Sequence, residues 1–220
     1  MNSISRFFSS INNISTHEFD NNDFRNVYKS ASELLIDASK NAKIKDNFKS
    51  YYFEPTATII SFIESEKTKS KYNLLYDIYT GEIVFYSSIE NWENLKNIDD
   101  KFWADLINIC QNCEIKFSAG SKPFYDKEIT PEFNANFKSI IFNMMSVYVT
   151  AMLETKSERE NFNFGQLEII WTTETTCIAD IITELNDSFK IFYRLNYLLW
   201  KAEDIRRQNR NSRKNKRLIR

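Results

Sequence analysis

Glycine, proline, cysteine and histidine are all scarce here: three, three, three and one in 220 residues. So few glycines exclude the Gly-rich loops that wrap backbone N–H groups around a phosphate, and neither GxxxxGK[ST] nor GxGxxG occurs. Three cysteines cannot frame a disulfide scaffold, so a reducing, cytoplasmic location is the expectation. With His17 the sole imidazole, enzymes built on two histidines are excluded. A Ser–His–acid triad would have to form around His17, in a polar N-terminal segment.

Long apolar runs are missing too. The longest, Ile140 to Leu153, is interrupted by Asn143, Ser146 and Thr150 and is too short to span a bilayer. Met1 to Ser15 lacks a sustained apolar stretch and a small-residue cleavage site, so no secretory signal is read and no membrane partner is expected.

What is abundant is aromatic: 18 Phe, 11 Tyr and 4 Trp within a hydrophobic content of 42%. That composition describes a folded chain with a sizeable core. No Pro/Gly-rich linker divides it. Residues 1–205 are therefore read as a single α+β domain and residues 206–220 as a basic C-terminal tail. Residues 1–20 read either as a mobile arm or, from Ile4, Phe7, Phe8, Ile11 and Ile14, as a short amphipathic helix.

Asn21 to Lys45 carries Val27, Tyr28, Ala31, Leu34, Leu35 and Ala38 at helical spacing. From Tyr51 the period changes to two. Thr58–Ile63, Tyr72–Tyr79 and Glu82–Tyr86 predict an antiparallel β-meander, with Thr80-Gly81 turning the second hairpin. A short helix follows Asp99 or Asp100, and Glu114–Ser118 and Leu167–Thr172 predict two further strands. Thr130-Pro131-Glu132 opens a helix to about Thr155 that is apolar round most of its circumference and predicts the central buried helix. Thr175–Leu185 predicts one more helix, and Asp187 or Ser188 caps a long last one whose apolar face fades after Ile205. The fold class is α+β: a small antiparallel meander covered by several helices, with a long C-terminal helix ending in the basic tail.

Charge is unevenly spread. The last twenty residues hold nine Lys/Arg against two acids, and the preceding two hundred hold twenty against twenty-eight. A body of about −8 thus carries a tail of about +7 beneath a net charge of −1. Arg206, Arg207, Arg210, Arg213, Lys214, Lys216, Arg217 and Arg220 alternate with Asn, Gln and Ser and meet no acid. Such cations neutralise phosphates, and the amides can bond sugars or base edges. An acidic protein surface is the other partner they suit. If the tail continues the last helix, its cations are expected all round the circumference with no single contact face.

Two weaker patterns carry chemistry. Cys110 and Cys113 form a CxxC at a helix C-terminus, where the dipole raises rather than lowers a thiol pKa, so redox work is not expected. A zinc site would need His17, Cys110, Cys113 and Cys177 together. Glu114-Ile115-Lys116, with Asp77 as the second acid, resembles the PD-(D/E)xK pattern of metal-dependent nucleases at three residues.

The expected function is a non-enzymatic cytoplasmic accessory subunit, with a protein partner and no cofactor, whose basic arm contacts nucleic-acid backbone. The alternatives are a toxin-neutralising, immunity-type or inhibitor protein whose acidic body covers a basic partner, and a metal-dependent nuclease.

Overall fold

The computed structural model describes residues 3–16, 21–52, 58–111, 113–120, 137–153, 155, 159, 162–173 and 176–218. The chain opens with α1 (Ser3–Thr16) and α2 (Asn21–Asn41), then forms four strands: β1 (Phe48–Tyr52), β2 (Thr58–Ser65), β3 (Lys71–Asp77) and β4 (Glu82–Ser88). A 3-10 helix (Trp92–Asn97), α3 (Asp100–Cys110), β5 (Lys116–Ala119), α4 (Phe137–Leu153), β6 (Gly165–Thr172) and α5 (Ile178–Leu218) complete it. One six-stranded sheet results, in the order β1-β2-β3-β4-β6-β5, with every neighbouring pair antiparallel.

Period-two patterning decides which face of the sheet is covered. Ile63 pairs Tyr72, Leu74 pairs Phe85, and Ile83 pairs Trp171, so most buried residues of four strands line one face, with Phe62 and Asn73 buried on the other. The opposite face carries Lys71, Glu82, Glu168 and Lys116, none of them buried. The β3–β4 turn needs its glycine: Gly81 has φ 68, and Asp77 Oδ1 accepts the backbone N–H of Tyr79 (2.8 Å) and Thr80 (3.1 Å).

Across the covered face lies α5. Ile181, Leu185, Phe189, Phe192, Leu195 and Leu199 recur at three-four spacing and are all buried. Phe189 stacks on Tyr72 at 4.7 Å and on Phe85 at 5.5 Å, and Phe192 stacks on Phe85 at 5.3 Å between ring centroids. Arg194 pins α3 to this helix, pairing with Asp105 and lying over the Phe102 ring. The two N-terminal helices join the same core through Ile4, Phe7, Ile11, Val27 and Leu35. Of the two readings of the N-terminus, residues 3–16 adopt the amphipathic helix.

The structure differs from the sequence expectation in three places. Residues 178–218 form one continuous helix, with no cap at Asp187 or Ser188. Ser188 is fully buried and its hydroxyl donates back to the Glu184 and Leu185 carbonyls (2.6 and 3.2 Å), which satisfies it inside the helix. The strand β1 was hidden because Lys49, Ser50, Tyr51 and Tyr52 are exposed on a sheet edge and show no alternation. Finally, α4 is not the centre. It buries Ile140, Met144, Val147 and Ala151, but Phe142, Val149 and Leu153 are 61%, 57% and 81% exposed. Apolar composition all round a helix does not say which side meets the core. The start expected at Thr130 lies outside the described residues.

Phe189→Ala is accordingly expected to destabilise the fold by about 3–5 kcal/mol. Ile141→Asp, on the half-buried flank of α4, is expected to cost clearly less than that. Urea denaturation ranks the two variants, and the reverse order would move the centre of the core from α5 to α4.

Candidate anion-binding cleft at the root of the basic helix

Beyond Leu199 the α5 stripe ends on a charged group. Glu203 is only 7% exposed, the last buried residue among those of α5 whose side chains are described. Its carboxylate accepts from Asn94 Nδ2 (3.3 Å), Arg206 Nη2 (2.6 Å) and Arg207 Nε (3.1 Å). Arg206 also reaches Glu93 Oε2 at 3.4 Å. Burial alone would push the Glu203 carboxyl up, but the Asn94 amide and the two guanidiniums hold it below the ordinary carboxylate value.

The other side of this clamp is the 3-10 helix. Its N-terminal neighbour Asn91 sits in the left-handed region (φ 52), and Trp92 anchors the segment by stacking on Phe164 at 5.6 Å. Between this segment, the end of α4 and α5 opens a cleft of about 870 Å³. Among the described residues Lys96, Arg159, Arg206 and Arg210 line it against one lining carboxylate, Glu93, with Asn94, Asn97 and Asn209 supplying amides. Among the described residues Arg159 Nη1 contacts the Met152 thioether, at 3.5 Å. The Nε–H of Arg159 and that of Arg206 are both buried without an acceptor among the described residues. Buried N–H groups normally have one, so the cleft has donor capacity and positive charge to offer.

The predicted basic residues divide into three sets. Arg206 and Arg207 are tied to Glu93 and Glu203, two acids that lie outside the basic run. Arg210 is exposed and lines the cleft. Positions 213, 214, 216 and 217 lie on the same continuous helix, and Arg220 falls outside the described residues. Because the helix does not break, positions 206, 210, 213 and 217 follow i, i+4, i+7, i+11 spacing and share one face. At about 3.6 residues per turn, all the cations from 206 to 217 fall within about half the circumference. Helical spacing thus narrows the expected placing all round the circumference to about half of it, and Arg206 and Arg210 line the cleft.

The nuclease set is not brought together. Asp77 is on β3 and Lys116 on β5, with β4 and β6 between them, a separation of three strand spacings of about 4.8 Å each. Asp77 is spent on its turn, and Glu114 pairs with Lys116 at 3.4 Å on the solvent side while Ile115 points inward. Of the zinc set, His17 lies outside the described residues. Cys113 is buried, Cys110 half-buried and Cys177 exposed, all as free thiols. Among the described residues no group of three or more His, Cys, Asp or Glu is placed to hold a metal ion. No described helix is long and apolar enough to cross a membrane.

Glu93, Lys96, Arg159 and Glu203 were not singled out by sequence. One signal was legible: Glu203 stands three and four residues before Arg206 and Arg207, the spacing of helical ion pairs. Arg159 gave none, because only the fold carries it to the other two walls. Comparison with protein-family models, with curated proteins and with solved structures finds no match for this chain.

Two expectations follow. A carboxyl held below its ordinary value of 4.5 contributes its full stability above that pH and loses it as pH falls through the lower folded value. Glu203→Gln should therefore cost about 1–3 kcal/mol near neutral pH, and the gap to wild type should narrow in acid. Urea midpoints at neutral and acid pH check this, and a gap that widens in acid would reverse the sign.

Burial pushes the Cys110 thiol up to about 11 and Cys113 up to about 12, with Glu184, Asp187 and Cys110 adding to the latter. Alkylation at mildly alkaline pH should modify exposed Cys177 first, with the other two at least about 100-fold slower. Peptide mass mapping reads the order. Cys113 reacting as fast as Cys177 would show an accessible thiol and contradict its burial.

Proposed function

We propose that this chain is a non-enzymatic binding protein, an accessory subunit of a larger assembly, that contacts nucleic-acid backbone through the basic face of α5. The carrying observation is the continuity of that helix. Glu203 is its last described buried residue, yet the helix runs on to Leu218, about 22 Å further at about 1.5 Å per residue. That length holds seven cations and, beyond Asp204, no acid.

Rooting supports the reading. The Glu203–Arg206–Glu93 clamp fixes the direction in which the helix leaves the body, so the basic face is presented rather than trailed. The acidic body repels a polyanion from elsewhere on the molecule and so favours approach from the tail end. No aromatic stands between Arg206 and Arg220, so the contacts suit phosphates and not base stacking.

Binding should then be independent of sequence and steeply sensitive to salt. With about four to six phosphate contacts, affinity falls roughly two to three orders of magnitude between about 50 and about 200 mM salt. The full-length variant with Arg213, Lys214, Lys216, Arg217 and Arg220 all changed to Gln should lose most of that dependence while melting close to wild type. Fluorescence anisotropy with DNA and RNA duplexes and single strands measures both. Absence of salt-sensitive binding to any of them would end the nucleic-acid reading and leave an acidic protein surface as the partner.

A further inference from the structure

We propose that the cleft bounded by Trp92–Asn97, Arg159 and α5 is a phosphate-binding subsite, with Arg159 as its principal ligand and Lys96 and Arg210 completing the positive wall. This deepens the nucleic-acid reading at the helix root, but its residues all precede Asn211 and do not depend on the rest of the tail.

Three observations converge on it. The first is charge: among the described residues Lys96, Arg159, Arg206 and Arg210 line a single concave space, Arg206 is paired with Glu93 and Glu203, and the other three have no described carboxylate partner. Lys96, Arg159 and Arg210 held around one cleft repel each other, and a multiply charged anion relieves this where a single carboxylate ligand would not. The second is unused donor capacity. Among the described residues Arg159 and Arg206 each bury an Nε–H with no acceptor, and the Arg159 fork makes one side-chain contact, to the Met152 sulfur. A guanidinium edge matches the oxygen spacing of a phosphate, which accepts two parallel N–H bonds from it. The third is size. About 870 Å³ is far larger than one ion and lies in the range of sites that hold a nucleotide. Asn94, Asn97 and Asn209 on the walls offer amides of the kind that bond sugars and base edges.

A phosphate monoester could come from a free nucleotide or from the end of a nucleic-acid strand. The second source is continuous with the basic face, since Arg206 and Arg210 belong to both.

Titration calorimetry with inorganic pyrophosphate, at low salt, tests the subsite on the full chain. The wild type should bind one pyrophosphate per chain. Arg159→Gln should weaken it by about 10- to 100-fold, the effect of losing one charge-assisted pair. Arg159→Lys should recover part of the loss, and Lys96→Gln, on a separate wall, should weaken binding without touching Arg159. The five-site Gln variant of the tail should bind pyrophosphate within about twofold of wild type, whereas its affinity for long nucleic acid falls. The two readings therefore fail separately. A 5′-phosphorylated oligonucleotide preferred over its 5′-hydroxyl form, with the preference lost in Arg159→Gln, identifies a strand end as the source. A mononucleotide bound as tightly as the phosphorylated oligonucleotide identifies the free nucleotide. No saturable binding by the wild type, or equal binding by a folded Arg159→Gln variant, would overturn the proposal.

Discussion

The packing of one aromatic stripe, Phe189 and Phe192 of α5 against Tyr72 and Phe85 of the sheet, is the contact on which the rest of this molecule depends. A sheet with one covered face needs a layer of side chains continuous across several strands. Here a single long helix supplies it for the central strands, with α2 extending the layer toward β1. Because the buried positions recur at three-four spacing from Ile181 to Leu199, the helix cannot rotate without withdrawing the whole stripe. That constraint fixes the direction of everything further along it.

Function, on this account, is what the helix does once the apolar stripe is exhausted. Glu203 closes the core with a buried carboxylate that is stable only because Asn94, Arg206 and Arg207 satisfy it. The same residues turn two tail cations into structural ones. Arg210 and the positions beyond it remain on a face that leads out of the cleft. The charge segregation of the sequence, twenty Lys/Arg against twenty-eight acids before residue 201 and nine against two from there on, is carried on a helix that stays continuous to Leu218.

The fold was largely legible in the sequence where patterning was strict. β4 and β6 alternate residue by residue, and α2 keeps a clean apolar stripe, so strand, helix and buried face all followed from spacing. Legibility failed where local signals and tertiary context disagree. Ser188 looks like a cap until a buried helix gives its hydroxyl two carbonyls to bond. β1 escaped notice because Lys49, Ser50, Tyr51 and Tyr52 are all exposed at the sheet edge and show no alternation. The all-apolar α4 looked central, although its composition is silent about which side is covered. At the site, the basic run was visible and its partners were not. Glu93, Lys96 and Arg159 are separated in sequence by strands and helices from α5, and only the antiparallel return of β6 brings the three walls together.

The measurement that tests the account most directly is photo-crosslinking of the full chain to a nucleic-acid strand, followed by peptide mapping. The account places the crosslinks on residues 206–218 and on the cleft walls around Lys96 and Arg159. Crosslinks concentrated on α1, α2 or the open face of the sheet, or none above background at low salt, would contradict it.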